Sequence, residues 1–112
     1  PAPPLPAHPP LLPPPPPNPC IALVGPSADF TACKNLRFAD LRNADLSKAK
    51  LQGVDLQGAK LMGADLTEAN IALADLRRAD LSHAILYKAD LAAADLSDAL
   101  LYMADLREAP MT

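Results

Sequence analysis

The sequence predicts an all-β solenoid, a fold in which short extended segments wind round one axis, and three observations lead to this prediction. An apolar residue returns at every fifth position from Leu36 to Met111. From position 39 onward, alanine stands two residues before fourteen of fifteen of these apolar residues, and Val54 is the exception. Aspartate is the commonest residue between the two, as in Ala39-Asp40-Leu41. A self-similar period of this kind is the signature of a repeat architecture.

A period of five fits neither regular element of secondary structure. On an α-helix each step of five rotates a side chain by roughly 140°, so no apolar stripe forms. On a flat strand the same step places successive leucines on opposite faces. The pattern is satisfied only if the chain turns a corner every five residues, so that each leucine and the alanine before it point towards one common axis.

These units resemble the pentapeptide-repeat family, whose consensus is Ala-(Asp/Asn)-Leu-x-x. The resemblance covers residues 34–112 well and residues 28–33 loosely. It implies a right-handed quadrilateral β-helix with four units, or twenty residues, in each coil, and hence about four coils here. In that register the unlike charges of Lys48, Glu68, Lys88 and Glu108 are stacked, and Arg78 lies over Asp98, which favours the twenty-residue coil.

The chain divides into an extended Pro-rich tail, residues 1–27, and a repeat body, residues 28–112. Twelve of the fourteen prolines lie within the first nineteen residues, and no Asp, Glu, Lys or Arg occurs before Asp29. Such a tail favours polyproline II conformation. It could act as a stiff spacer, as a ligand for aromatic grooves, or as an arm lying along a partner and burying Leu5, Leu11 and Leu12. The uncharged, apolar composition favours the third interpretation.

The repeat begins irregularly, because the step from Phe30 to Leu36 is six residues and Lys34 stands where alanine is expected. We expect a bulge or a cap at this point, with Phe30 closing the end of the core. Cys20 and Cys33 flank it, thirteen residues apart, and a disulfide between them would tie the tail to the first coil; two unrelated thiols are the alternative. A disulfide implies an oxidising compartment, such as the periplasm, the thylakoid lumen or the cell exterior, with the cytoplasm as the second choice.

The residues provide no basis for predicting an enzyme, a cofactor or a metal site. The thirteen carboxylates recur at outward positions of the units and are interpreted as solvated faces. His83 is likewise outward, and Gly53, Gly58 and Gly63 follow the repeat, marking corners and not a phosphate-binding loop. Two cysteines with isolated histidines do not supply the four ligands of a zinc site.

Apolar residues at positions that should face water are more informative. Ile85 and Leu100 replace the usual aspartate, and Tyr87, Tyr102 and Met103 lie in the outward part of their units. A cluster of this kind predicts a contact surface near the C-terminal end, although local packing round the final turn would also account for it. Together with Leu11 and Leu12 of the tail, these residues are the candidate partner-binding residues.

The sequence therefore predicts a non-enzymatic structural or protein-binding module, exported or lumenal, that docks on a larger assembly through the tail and the C-terminal coil. A homodimer through the C-terminal coil is a further expectation, and neither a nucleic-acid partner nor a membrane span is expected. The alternative implied by the family is a DNA mimic acting on DNA gyrase. The mild net charge of −3 and the ten basic residues argue against that alternative.

Overall fold

The structure, a computed structural model, describes residues 2–5, 7, 9–14 and 16–112. A single 3₁₀ helix, Pro19–Leu23, is the one helix in this part of the chain. From residue 27 onward the chain forms a parallel β solenoid held together by isolated β-bridges, with no continuous strands among the described residues. The solenoid is all-β as predicted, and its segments remain single bridges because only three residues separate one corner from the next.

The bridges define the register of the solenoid. From Asn35 onward each bridge joins a residue to the one twenty positions later, for example Asp40 to Lys60 and Lys60 to Asp80. The backbone hydrogen bonds agree, since the Leu36 N–H donates to the Asp55 carbonyl at 2.8 Å and the Asp55 N–H donates to the Lys34 carbonyl at 2.8 Å. One turn of the chain round the axis therefore takes twenty residues, or four five-residue units.

Each corner is a turn closed by one backbone hydrogen bond. The N–H of Ala39 donates to the carbonyl of Leu36 at 3.1 Å, and the same bond recurs in every unit as far as Ala109 and Leu106. The third residue of each turn has a positive φ, from Phe38 at 57° to Glu108 at 57°. A negative φ followed by a positive one is the pattern of a type II turn, in which glycine is favoured at the third residue. Gly53, Gly58 and Gly63 occupy that place, which confirms them as corner residues.

The core is narrow and almost uniform. Leucines and alanines of successive units stack along the axis, and no polar or charged residue in the described part of the chain is buried. The side chains that are completely buried include Phe30, Leu36, Leu46, Leu51, Leu61, Leu81 and Leu86. The interior therefore holds only apolar groups, while every functional group that could contact another molecule lies on the corners and outer faces.

The irregular start has a clear structural basis. The first bridge, Asp29 to Lys50, spans twenty-one residues instead of twenty. The hydrogen bonds that a repeat alanine normally makes are divided between two residues: the Cys33 N–H donates to the Phe30 carbonyl, and the Lys34 carbonyl accepts from Asp55. The expected bulge is therefore present at Cys33-Lys34. Phe30 is fully buried, in agreement with its expected place at the end of the core.

A short N-terminal cap is tied to this first coil. Asn18 begins the 3₁₀ helix, because its side chain accepts a hydrogen bond from the Cys20 N–H at 2.9 Å and donates another to the Asn35 carbonyl at 2.8 Å. Cys20 is buried, and it forms a disulfide with Cys33 across a Cα–Cα distance of 5.7 Å. The part of the predicted tail from residue 19 to residue 23 is thus helical and not extended. Residues 1, 6, 8 and 15 of the tail lie outside the described residues.

Candidate protein-binding surface

Every Asp or Asn that precedes a repeat apolar residue from position 29 onward caps the next corner. Its side-chain oxygen accepts a hydrogen bond from the backbone N–H two residues later, as between Asp45 and Ser47 at 3.1 Å. Twelve residues make this bond: Asp29, Asn35, Asp40, Asp45, Asp55, Asp65, Asn70, Asp75, Asp80, Asp90, Asp95 and Asp105. Such local turns are the usual role of Asx side chains. Sequence analysis interpreted these carboxylates as a solvated face and missed the cap, which the constant two-residue spacing to a corner could have revealed.

Several of these caps carry additional donors that favour the ionised carboxylate. The Arg42 guanidinium donates to both Asp40 oxygens, at 2.8 and 2.7 Å, and with the Arg42 N–H it lowers the pKa of Asp40 to about 2. Hydrogen bonds from Arg77 and Arg107 lower the pKa values of Asp75 and Asp105 in the same way. At these three corners the ionised carboxylate is held by the arginine two residues later as well as by the backbone N–H of the turn.

The charge stack predicted from the sequence is present in register but does not form ion pairs. Among the described residues, the ion pairs join an arginine to the aspartate two residues before it or to a neighbouring coil, as in Arg77 with Asp75 at 2.7 Å and with Asp95 at 3.8 Å. None joins Lys48 to Glu68 or Arg78 to Asp98 within 4.0 Å. Long side chains at these exposed corners point into solvent, where holding two of them together gains little.

Five positions lack an Asx cap, and two of these place an apolar side chain on the surface. They are occupied by Lys50, Lys60, Ile85, Leu100 and Pro110. Ile85 is 41% exposed and Leu100 is 57% exposed. At both positions the corner lacks the hydrogen bond between an Asx side chain and the backbone N–H two residues later, and a hydrocarbon side chain is exposed instead. Neither residue therefore has an evident stabilising role in the solenoid.

Leu100 lies beside the largest exposed apolar residues of the last coil. Tyr102 is 71% exposed and Met103 is 68% exposed. The Tyr102 ring meets the His83 ring edge to face, with centroids 5.5 Å apart. Ile85 follows His83 by two residues on the preceding coil. We call these residues, Ile85, Leu100, Tyr102 and Met103, the C-terminal apolar patch.

Tyr87 has different surroundings from the rest of the predicted cluster. It is half-buried, and its ring lies between the Lys88 ammonium, 5.3 Å from the centroid, and the Arg107 guanidinium, 5.4 Å away. Cation–π contacts of this kind are favourable on a protein surface. The structure therefore gives Tyr87 two cationic partners, whereas Leu100 and Met103 present their side chains to solvent and Tyr102 contacts the His83 ring while remaining exposed.

Leucines of the N-terminal arm are the other exposed apolar group. We use "the arm" for the part of residues 1–17 that the structure describes. Leu5, Leu11 and Leu12 are 91%, 83% and 90% exposed. The arm contains no helix and no β-bridge among its described residues. The arm precedes the first coil in the chain, and the C-terminal apolar patch lies on the sides of the last two coils.

Exposed Phe38 was not singled out by sequence analysis. It is 69% exposed, carries the Arg37 guanidinium 5.7 Å from its ring centroid, and lies over Gly58 of the next coil. The position of Phe38, the third residue of a corner turn, was a signal available in the sequence, because such residues point outward in every unit.

No pocket and no group of His, Cys, Asp or Glu suited to a metal ion occurs among residues 2–5, 7, 9–14 and 16–112. Within the same residues, no helix is long and apolar enough to cross a membrane.

The pentapeptide-repeat family model matches eight copies of the repeat, over residues 27–67 and 74–112. The chain belongs to the pentapeptide-repeat family. Proteins of this family are generally structural or binding modules and not enzymes. The consensus of this family is explained by the corner geometry, because the Ala and Leu fill the core and the Asp or Asn caps the turn.

Two solved structures of pentapeptide-repeat proteins are similar to this one. Rfr23 from the cyanobacterium Cyanothece 51142 matches with 35% identity and a TM-score of 0.63, over 63% of this chain and 48% of that one. A protein from the thylakoid lumen of Arabidopsis thaliana matches with 32% identity and a TM-score of 0.50, over 80% of this chain and 68% of that one. The chain thus spans about half the length of Rfr23. A search of curated protein sequences finds no match.

Proposed function

We propose that this pentapeptide-repeat protein is a non-enzymatic protein-binding module, an accessory subunit that docks on a larger protein assembly through its arm and its C-terminal apolar patch. The observation that carries the proposal is the placement of exposed apolar side chains. Leu100 and Tyr102 lie at one end of a solenoid whose outer positions are otherwise mainly polar, and Leu11 and Leu12 lie in the arm at the other end. Clusters of exposed apolar side chains are typical of interaction sites.

The proposed location is an exported compartment, either the thylakoid lumen, the periplasm or the cell exterior. Two observations support it: the Cys20–Cys33 disulfide, which is characteristic of oxidising compartments, and the similarity to a protein of the Arabidopsis thylakoid lumen. The cytoplasm is the second choice.

The complete architecture that we propose is a right-handed quadrilateral β-helix of about four coils, with the arm extending from its N-terminal end. The twenty-residue register supports four sides of one unit each. In this geometry the last coil exposes Leu96, Leu101 and Leu106 more than the corresponding leucines of earlier coils. Their backbone N–H groups have no acceptor among the described residues. A homodimer through the C-terminal coil is part of the proposal.

The gyrase-directed DNA mimic is not supported by the distribution of charge. A mimic of duplex DNA requires acidic surface along its length. Here the first coil carries Lys34, Arg37, Arg42, Lys48 and Lys50. No face near that end is predominantly acidic, so we do not propose this function.

The proposal is tested by isolating the protein gently from its natural source and measuring its size. We expect the wild-type protein to migrate with a large assembly, and the variants Tyr102→Ser and Leu11→Ser/Leu12→Ser to leave it. A matched variant, Leu73→Ser, changes another exposed leucine, 70% exposed, that lies outside both proposed surfaces, and should remain bound. A protein that migrates alone, with all variants alike, would show that it is not an accessory subunit.

A thiol titration under denaturing conditions tests the location. No reactive thiol is expected in protein taken directly from its source, because both cysteines are joined in the disulfide. Two reactive thiols would contradict export and would favour the cytoplasm.

A further inference from the structure

One side of the solenoid concentrates most of the exposed large apolar residues of the repeat body. Its centre is a ladder of parallel bridges joining Asp40 to Lys60, Lys60 to Asp80, and Asp80 to Leu100. We call this ladder and the corners on either side of it the ladder face; the corners are residues 37–38, 57–58, 77–78 and 97–98 on one side, and 42–43, 62–63, 82–83 and 102–103 on the other. At its first-coil end stands Phe38, and at its last-coil end stand Leu100, Tyr102 and Met103.

We infer that the ladder face binds a second copy of this chain, with the two solenoids antiparallel and related by a two-fold axis. The inference deepens the proposed function by naming a partner for Leu100, Tyr102 and Met103 of the C-terminal apolar patch, and it rests on these residues being a contact surface. A two-fold interface must be complementary to itself. With the four coils fully overlapped, the rotation brings the first coil of one copy against the last coil of the other, and the second coil against the third.

The charges of the ladder face satisfy this requirement. The rotation places Lys60 opposite Asp80 of the second copy, and Asp80 opposite its Lys60, so two unlike pairs form at the centre. Arg37 at one end comes to the level of the second copy's Asp98, which has no ion pair among the described residues of its own chain. The central strand of this face brings no two like charges into opposition.

Two other ladders fail the same requirement. One contains Asp55, Asp75 and Asp95, and the same rotation opposes Asp55 with Asp75. Another contains Asp45, Asp65, Ile85 and Asp105, and the rotation opposes Asp45 with Asp105, so Ile85 of the patch lies outside the ladder face. Like charges held opposite each other across an interface are unfavourable. The ladder face therefore differs from these sides both in its apolar residues and in its charge.

Leu100 comes opposite Asp40 of the second copy in this arrangement, while the other exposed apolar residues of the ladder face find more favourable partners. Tyr102 comes opposite Arg42 of the second copy, whose guanidinium is held in place by its two hydrogen bonds to Asp40. Arginine stacked on a tyrosine ring is a favourable contact. Met103 comes opposite Asn43. Phe38, which lies over Gly58, comes to the level of the second copy's Arg78 and Asp98, where it can pack against the Arg78 side chain.

The two glycine corners of this face are covered by side chains of the first coil, because the Phe38 ring lies over Gly58 and the Asn43 side chain lies over Gly63. Gly58 and Gly63 occupy the two corners of the second coil on the ladder face. The rotation opposes them with the long side chains of Arg78 and His83 from the third coil of the other copy. Four coils spaced about 4.8 Å apart make a face only about 15–20 Å tall, which limits how much of the roughly 800 Å² per partner of a standard interface it can bury. The dimer is therefore expected to be weak, dependent on protein concentration and sensitive to salt.

A charge-exchange experiment on the purified, oxidised chain tests the inference. Wild-type protein should show a monomer–dimer equilibrium by sedimentation, and both Lys60→Glu and Asp80→Lys should raise the dimer dissociation constant by at least about tenfold through two new like-charge pairs. An equimolar mixture of the two variants should dimerise again, because each copy then meets the opposite charge at both positions. A change of charge within one chain cannot produce this recovery.

Lys50→Glu is the matched control, since Lys50 occupies the same unit position on another side of the solenoid. It should leave the dissociation constant unchanged. Lysine already stands at this unit position twice, so Asp80→Lys should fold, which circular dichroism can verify. The inference would be overturned if the wild-type chain stays monomeric at all concentrations. It would also be overturned if Lys60→Glu leaves the self-association unchanged, or if mixing Lys60→Glu with Asp80→Lys does not restore dimerisation.

The outcome can be separated from that of the proposed function. A chain that is monomeric when purified but migrates with an assembly from its source would refute both the antiparallel dimer and the homodimer through the C-terminal coil, and would leave the accessory-subunit role intact. Conversely, the protein could migrate alone when isolated from its source while its two charge variants dimerise again on mixing. That result would support the antiparallel dimer and refute the accessory-subunit role.

Discussion

At the scale of single residues, each repeat unit is held by two local features that the consensus encodes. One is the Asx side chain that accepts a hydrogen bond from the N–H two residues later, as Asp65 does from Thr67 at 3.0 Å. The other is the positive φ of the third turn residue, which non-glycine residues such as Leu73, at 62°, also adopt. This conformation costs an L-residue roughly 1–2 kcal/mol. The corners are therefore strained positions, stabilised by the stacked coils and by their caps.

Gly53 and Gly58 provide a matched test of this strain. Their φ values are almost the same, 66° and 65°, but a Cβ at Gly53 would meet nothing within 4 Å, whereas a Cβ at Gly58 would lie 2.5 Å from Phe38 Cε1. We expect Gly53→Ala to lower the free energy of unfolding by about 1 kcal/mol, and Gly58→Ala to lower it further, as measured by urea denaturation. In a Phe38→Ser background the additional loss at Gly58 should disappear. Equal losses for the two alanine variants in the wild-type background would show that the Phe38 ring moves aside freely.

The lowered pKa values of the capping aspartates predict a loss of stability in acid. Hydrogen bonds hold the pKa values of Asp29, Asp40, Asp45, Asp75, Asp95 and Asp105 below the ordinary value. Because an unfolded aspartate has a pKa of about 3.9, the unfolded chain binds protons first as the pH falls. The contribution of these caps is therefore complete above about pH 4 and is lost as the pH falls towards the Asp40 pKa of about 2. The urea midpoint should fall across this range.

Asp40→Asn is the control for the acid transition. Asparagine keeps an oxygen to accept the Arg42 N–H, as Asn35 and Asn70 do at their corners, but it does not titrate. Its urea midpoint should fall less between pH 4 and pH 2 than that of the wild type. If the urea midpoint of the wild-type protein stays level or rises between pH 4 and pH 2, the ionised aspartates do not stabilise the corners as assigned.

At the scale of coils, each turn of the solenoid buries its leucines only when a coil lies on either side. Leu61 and Leu81 are fully buried between neighbouring coils, whereas Leu101, in the last coil of the same column, is only half-buried. Nearest-neighbour contacts of this kind dominate the stability of repeat proteins. The first coil is protected differently, by Phe30, the 3₁₀ helix and the disulfide.

Leu61→Ala and Leu101→Ala should separate these environments. Removing a fully buried leucine creates a cavity and costs about 2–5 kcal/mol. We expect Leu61→Ala to fall in that range and Leu101→Ala to cost less than half as much in the free energy of unfolding. Both are measured by urea denaturation of the oxidised protein. A larger loss at Leu101 would show that the last coil is covered in solution.

At the scale of the whole molecule, stability and binding reside in different residues. The core Leu and Ala and the Asx caps hold the solenoid, while the arm, Phe38 and the C-terminal apolar patch contribute little to its packing. A residue that departs from the repeat consensus without stabilising the fold locally is expected to serve function. Leu100 is the clearest example, because it replaces a cap by an exposed side chain.

Leu100→Asn should therefore stabilise the isolated protein while weakening its association. The new side chain can accept the Tyr102 N–H, as Asn70 accepts the Ala72 N–H at 3.1 Å, and we expect a gain of roughly 0.5–1 kcal/mol in the free energy of unfolding. The dimer dissociation constant should rise, measured by sedimentation of the same preparation. Lys60→Asn adds a comparable cap but removes a charge, and comparing the two separates the apolar from the electrostatic contribution. Unchanged association in Leu100→Asn would exclude the patch as a contact.

The repeat body could be predicted from the sequence because its signal is local and redundant. Leu at every fifth position and Ala two residues earlier can be buried together only by a chain that turns every five residues, so the solenoid and its corner glycines followed from spacing alone. The position of the bulge followed in the same way from the six-residue step between Phe30 and Leu36.

Only the tertiary structure could decide which residues meet across coils, since those contacts depend on the register and on side-chain direction. In the structure, arginines pair locally with aspartates, as Arg42 does with Asp40, and Lys48 does not pair with Glu68 as the sequence predicted. Residues 19–23 form a capping helix, and Tyr87 has two cationic neighbours. The tertiary structure also placed Phe38 and Leu100 on one ladder face, although sixty-two residues separate them in the chain. The period of the sequence determined the solenoid, because burial of each unit is a local requirement; the surface was decided by folding, because a twenty-residue turn brings distant units side by side.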